Sequence, residues 1–305
     1  MGRRRFPAGE LDRRWGLANP PVRRRMFKGD DRAMIEQLTI TVLVENTAGA
    51  RGLLGEHGLS FWIEADGYNL LFDTGQGYAL RHNARELGIN LRDSDAIALS
   101  HGHYDHAGGL PCVFEETQNA VLFLHPDAIA PKYSPRGAIG SPIQDKQTLE
   151  ANTQRIVWTE TPTEIIPGLW LTGPIPRRHP SEDTGGDFWQ DGNHHLIDRL
   201  PDDQALFAET PEGLVVVLGC AHAGTINTLD YISQITGKQK IHAVLGGMHL
   251  LRANRDRLEA TVAALKRYDV QLIGANHCTG LNAIAHLWRL GRSIDCRVGT
   301  RLQFN

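Results

Sequence analysis

The stretch Leu99-Ser100-His101-Gly102-His103-Tyr104-Asp105-His106-Ala107-Gly108-Gly109-Leu110 places three imidazoles and a carboxylate within six residues. It follows directly on a short apolar run, Asp95–Ser100, that reads as a strand, so the cluster stands at a strand's end. His101 and His103 are two apart, and in extended backbone their side chains point the same way. Asp105 and His106 come where the chain turns into a helix, beside glycines that permit close backbone approach. Imidazole nitrogen and carboxylate oxygen suit zinc, iron or manganese. Four donors so tightly spaced do not all reach one ion. They divide between two adjacent ions, His101 and His103 on one, Asp105 and His106 on the other.

Working outward, the pattern alternates strands and helices. Gln37–Glu45 reads as a strand, and Leu59–Ala65 with Tyr68–Asp73 as a hairpin turning on Asp66-Gly67. Tyr78–Leu87 has helical spacing and stops at Gly88, and Ala120–Leu124 is a further strand. A second hairpin, Gln204–Glu209 and Gly213–Gly219, turns on Thr210-Pro211-Glu212. After it come a helix (Thr225–Ile235), a strand (Ile241–Leu245), a helix (Arg255–Tyr268), a strand (Val270–Ile273) and a helix (Leu281–Leu290). Two halves, each opening on hairpins and continuing with strands and helices, suit two sheets packed face to face with helices outside. Pro131–Pro142 and Pro174–Asp203 carry no period, and the insertions near residues 126–145 and 174–203 read as surface or binding loops.

The chain has 305 residues, 41% of them hydrophobic and 22% charged, enough apolar content for a sizeable core. No run approaches about 18 apolar residues, so no membrane-spanning helix is expected. The total charge of −3 hides an asymmetry. Residues 1–33 hold nine arginines and Lys28 against four acids, a net of +6, which leaves −9 for the rest. This arm has no apolar period and neither the apolar core of a secretory signal nor that of an export signal. It reads as a disordered tail, although clustered arginines also suit phosphate or RNA. Met34, directly before the first strand, is a second candidate start of translation. Residues 34–305 form the expected single domain. A near-neutral total argues against a nucleic-acid partner and, without an apolar span, no membrane partner is expected. Cys112, Cys220, Cys278 and Cys296 form no CxxC pair and read as reduced thiols of a cytoplasmic protein. No G-x-S-x-G, G-x-G-x-x-G or G-x-x-x-x-G-K-[ST] motif occurs, which argues against a serine hydrolase, a Rossmann site and a P-loop.

The HGHYDH segment resembles the HxHxDH signature of the metallo-β-lactamase superfamily. Asp73, in Leu70–Gly75 (LLFDTG), resembles that family's first motif, a strand-end Asp that supports the metal site. GCAHAG (Gly219–Gly224), GGMHL (Gly246–Leu250) and NHCTG (Asn276–Gly280) follow in the family's order, so the likeness spans about residues 38–300. Their wording resembles the branch that includes archaeal dihydropterin–ribofuranosylaminobenzene 5′-phosphate synthase and uncharacterised metal-dependent hydrolases. The resemblance implies an α/β fold, a four-layer αβ/βα sandwich with divalent metals at one edge between the sheets. Two ions are expected, zinc foremost, with manganese or iron as alternatives.

On this reading the metal ligands are His101, His103, Asp105, His106, His222 and His277, the last two placed just past strand ends. Asp105 also orients the nucleophile, and Asp73 holds a ligand imidazole. His249 stands open between ligand, substrate contact and support. Cys220 occupies the place where many family members carry a metal-bridging Asp, and it is open between ligand and packing residue. His179 reads as a loop residue and His125 as structural. His57, His82, His194, His195, His242 and His286 read as ordinary polar positions. The implied activity is hydrolysis of a small-molecule ester, lactone, thioester or phosphoester. The alternative is a synthase that releases pyrophosphate, with Arg136, Arg177 and Arg178 neutralising phosphates. A non-catalytic metal-binding sensor is the third reading, and the intact cluster argues against it. Deleting residues 1–33 is expected to leave circular dichroism and thermal unfolding of the remaining chain unchanged.

Overall fold

Along the central strands apolar side chains alternate between two faces that are both buried, which only a sheet covered on each side permits. On the strand Gly213–Leu218, Val215 and Val217 enter one core while Leu214, Val216 and Leu218 enter another. On Tyr68–Phe72, Leu70 and Phe72 face the first of these cores and Leu71 a third. The computed structural model describes residues 34–305, and the basic arm expected over residues 1–33 lies outside the described residues.

In chain order the strands are β1 (Leu38–Val44), β2 (Ser60–Ala65), β3 (Tyr68–Phe72), β4 (Ala96–Ala98), β5 (Val121–Leu124), β6 (Tyr133–Ser134), β7 (Gly137–Ala138) and β8 (Arg155–Trp158). They continue with β9 (Thr163–Ile166), β10 (Leu169–Leu171), β11 (Ala205–Thr210), β12 (Gly213–Leu218), β13 (Ile241–Gly247), β14 (Leu272–Asn276) and β15 (Arg301–Phe304). The helices are α1 (Leu80–Glu86), α2 (Tyr104–Ala107), α3 (Leu110–Glu116), α4 (Lys146–Ala151), α5 (Thr225–Thr236), α6 (Arg255–Arg267) and α7 (Leu281–Trp288). Among the described residues one sheet runs β15-β1-β2-β3-β4-β5-β8 and the other β14-β13-β12-β11-β10-β9, with β6 and β7 a separate hairpin.

Ile40, Phe61, Phe72 and Phe123 of the first sheet meet Leu171, Leu206, Val217 and Leu245 of the second in the central core. Helices α1, α3 and α4 cover the outer face of the first sheet through Leu80, Val113 and Leu149. Helices α5, α6 and α7 cover the second through Leu229, Leu265 and Leu287. The expected four-layer αβ/βα sandwich is therefore observed. Among the described residues no helix is long and apolar enough to cross a membrane.

Direction of travel places the site. Strands β3, β4, β5 and β8 are parallel neighbours, as are β12, β13 and β14. The loops leaving β3, β4, β12, β13 and β14 at their C-terminal ends carry Asp73, His101–His106, Cys220–His222, His249 and His277. Ligand crevices of α/β folds form outside such carboxyl ends.

The turn Asp66-Gly67 closes the first hairpin with positive φ at both residues (48° and 83°), the twist that a tight hairpin demands. Several elements depart from the sequence expectation. β14 runs on to Asn276 because it stays paired with β13, up to Gly247↔Asn276. The unexpected helix α3 starts with a proline in its first turn. The short strands β8, β9, β10 and β15 take their identity from pairing rather than from any period of their own. The Pro131–Pro142 loop holds the β6–β7 hairpin. Phe61 is fully buried between the sheets. Phe61→Ala is expected to cost about 3–5 kcal/mol of stability, read as a lowered urea midpoint.

Candidate metal centre

At the strand ends the backbone turns sharply. Asp73, Ala221, His249 and His277 adopt φ of 60°, 54°, 46° and 49°, left-handed values that cost non-glycine residues about 1 kcal/mol or more each. These turns collect their loops into one crevice. Gly219 allows the close approach of β12, because a Cβ there would lie 2.0 Å from Ser100 Oγ.

Asp73 is completely buried and organises the first sheet's side of the crevice. Its Oδ1 accepts Ser100 N at 2.7 Å, and its Oδ2 accepts Ser100 Oγ at 2.7 Å and His106 Nδ1 at 2.7 Å. With Nδ1 so engaged, His106 Nε2 is left 3.1 Å from Cys220 Sγ and 3.2 Å from His277 Nε2. His277 is fixed in the same manner. Its Nδ1 meets Asn46 Oδ1 at 3.0 Å and its backbone N–H donates to Glu45 Oε1 at 2.9 Å. Its Nε2 lies 3.4 Å from Asp105 Oδ2.

On the other side, His101 Nε2 sits 3.0 Å from His103 Nδ1. His222 Nδ1 donates to the Thr184 carbonyl at 2.7 Å. His103 Nε2 and His222 Nε2 are buried and have no hydrogen-bond partner. Donor atoms of His101, His103 and His222 all lie within 4.8 Å of one another. So do those of His57, Asp105 and His277, and those of His101, His106 and Cys220.

Electrostatics follow from burial. Desolvation pushes the His103 imidazole down to about 3, the neighbouring Lys132 and His106 adding to it. His101 and His222 are likewise held well below the usual histidine range by burial and by the surrounding rings. All three rings are thus neutral at pH 7. Burial also works against protonation of His106, but the Asp73 and Asp105 carboxylates outweigh it and raise this group to about 9. Asp105 is held well below the carboxylate range, since His106 and His277 outweigh its desolvation. Neutral imidazoles with orphaned, buried nitrogens beside an ionised carboxylate fit a divalent cation, which would supply the partner that those atoms lack.

The structure brings together His101, His103, Asp105, His106, His222 and His277, with Cys220 and His249 against them. The two loop arginines expected to meet substrate both make contacts within the fold. The Arg177 guanidinium donates to the carbonyls of His222, Arg199 and Leu200, so it braces the His222 loop. Arg178 Nη1 donates to Gln234 Oε1 on α5 at 3.0 Å.

Several residues escaped sequence reasoning. His57 Nε2 lies 3.3 Å from Asp105 Oδ2, and the Phe188 ring lies 5.1 Å from His103 and 5.3 Å from His222. A buried brace holds the loops that follow β4 and β12. Asp202 Oδ2 accepts Gly102 N at 2.8 Å, Asp203 Oδ2 accepts Ala223 N at 2.7 Å, and Gln204 Nε2 donates to Leu99 O at 2.8 Å. Lys132, only 1% exposed, neutralises the brace through Asp202 (2.8 Å) and Asp198 (3.0 Å). An acidic pair directly ahead of an apolar strand was the one sequence signal for it.

A sequence profile described as the metallo-beta-lactamase superfamily matches residues 54–197. The chain is 32% identical over 267 residues to a 7,8-dihydropterin-6-methyl-4-(beta-D-ribofuranosyl)-aminobenzene-5'-phosphate synthase of Methanocaldococcus jannaschii, covering 82% of this chain and 90% of that protein. It is 33% identical over 264 residues to an uncharacterised protein of the same organism, covering 85% and 98%. A solved structure described as a metal-dependent hydrolase of the beta-lactamase superfamily superposes with a TM-score of 0.75 at 34% identity, covering 87% of this chain and 98% of that one.

The buried histidines set a pH dependence for the chelator-treated protein. Unfolded His103 takes up a proton near 6.5, whereas the folded group refuses it until about 3. Stability that is present above 6.5 is therefore lost as pH falls towards 3. His106 has the opposite sign, its contribution being lost as pH rises through about 9. The urea midpoint should fall on both sides of near-neutral pH, and His103→Gln should flatten the acid limb. An unchanged acid limb would locate the proton uptake elsewhere.

Proposed function

The chain belongs to the metallo-beta-lactamase superfamily, and from that membership we propose that it is a metal-dependent hydrolase of a small-molecule ester, lactone, thioester or phosphoester. The observation that carries this reading is the meeting of two donor groups at one edge of the sandwich, with buried imidazole nitrogens that have no protein partner. His101, His103 and His222 would hold one divalent ion, and Asp105, His106 and His277 a second, zinc foremost. Such an ion lowers the pKa of the water it holds from about 15.7 towards about 7 and polarises a carbonyl or phosphoryl oxygen.

The chain's own residues do the rest. Asp73 fixes the tautomer and orientation of His106, and the Thr184 carbonyl does the same for His222. Asp105, ionised and facing both His57 and His277, orients the nucleophile. His57, beside Asp105 with more than half of its side chain exposed, can take up the nucleophile's proton and pass it to bulk water. Phe188 excludes water above His103 and His222. Free thiols at all four cysteines fit a cytoplasmic setting.

A synthase reaction that releases pyrophosphate is the second reading, favoured by the 32% identity to a protein named as a synthase. Arg136, exposed and close enough to Tyr104 to act on its hydroxyl, would neutralise phosphates together with Arg177 and Arg178.

Hydrolysis of an ester, lactone and phosphoester panel should be abolished by EDTA and restored by Zn²⁺. His103→Ala should lower it by at least about 100-fold. Activity indifferent to chelation, or intact in His103→Ala, would overturn the hydrolase reading. Pyrophosphate released from a pterin diphosphate would replace it with the synthase.

A further inference from the structure

The two donor groups are joined by sulfur. Cys220 Sγ lies within 4.8 Å of donor atoms on His101 and His106, on His222 and His249, and on His277 and Cys278. It therefore faces members of both ion-holding groups, and it is 3.1 Å from His106 Nε2. The left-handed turn at Ala221 lets Cys220 and His222 both face the crevice from one short loop. Cys278 supplies a second sulfur beside the first. It follows His277, its Sγ lies 3.6 Å from the Cys220 carbonyl, and a Cβ on Gly247 would come within 2.6 Å of that sulfur. His249 adds a nitrogen, Nδ1, that is buried without a partner. Gly185 makes room for this ring, since a Cβ there would stand 1.7 Å from it.

We propose that Cys220 is the donor common to both ion positions and that Cys278 is a further sulfur donor on the His277 side, so that the centre selects a thiophilic divalent cation. The proposal rests on the metal-centre reading above. Thiolate donors favour zinc, cobalt or ferrous iron over magnesium and manganese. As an ion binds, each ligating thiol gives up its proton to the buffer.

The test uses the full chain stripped of metal and reloaded with Co²⁺, whose thiolate complexes absorb in the near ultraviolet while its d–d bands report binding itself. The wild type should bind two cobalt ions per chain by elemental analysis and show the thiolate charge-transfer band. Cys220→Ser should lose more than half of that absorbance and bind cobalt more weakly. Cys278→Ser should lose a smaller part, and the remote Cys112→Ser none. Cys220→Asp should keep two ions while losing the band, the outcome expected if position 220 serves both. Unchanged thermal unfolding of the metal-free variants would exclude misfolding as the cause. Cobalt bound with d–d bands but no charge-transfer band would overturn the sulfur assignment alone. No cobalt bound at all would overturn the metal centre with it.

Discussion

Everything at the crevice depends on one buried carboxylate. Asp73, at the end of β3, holds the backbone and hydroxyl of Ser100 and the ring of His106, tying β3 to the loop that leaves β4. A carboxylate without solvent is tolerable only when its lone pairs are met, and here three donors meet them. That constraint makes His106 present Nε2 rather than Nδ1 to the crevice. Because Ser100 also touches His101, the same carboxylate reaches both donor groups through one hydroxyl.

The second sheet must then be brought to the first with matching accuracy, and two loop insertions do this. The segment from Asp198 to Gln204 bonds to backbone on both ligand loops, while Lys132 comes from the other insertion to neutralise it. Removing one partner from such a buried pair typically costs about 3–5 kcal/mol. The insertions are thus more than surface decoration. One carries Thr184 and Phe188, which hold and cover His222, and the other carries the lysine that lets the acidic brace be buried.

Backbone strain is concentrated at the same edge. Four non-glycine residues with left-handed φ end the strands that feed the crevice, and one of them, His277, is itself a proposed ligand. Strain of this kind persists where surrounding contacts over-determine the conformation. The bonds from Glu45 and Asn46 to His277 are contacts of that type. A loop held open in this way presents its nitrogen before any ligand arrives, which lowers the entropy cost of binding.

Local order in the chain was enough to place much of this. The period-two strands, the Asp-Gly hairpin and the HGHYDH spacing each follow from backbone geometry over a few residues, so the sandwich and the gathering of four polar side chains after β4 were legible. His222 and His277 were legible as strand-end histidines. What the sequence could not determine depends on loops meeting across the sheets. His57 looked ordinary until its ring was brought to Asp105. Cys278 looked like a spare thiol until it stood beside Cys220. Those outcomes are set by contacts such as that of Cys278 with the Cys220 carbonyl, 58 positions apart, and no local period encodes such distances. Residue type and spacing decided what chemistry is present. Only the packing of the two sheets decided which groups share it.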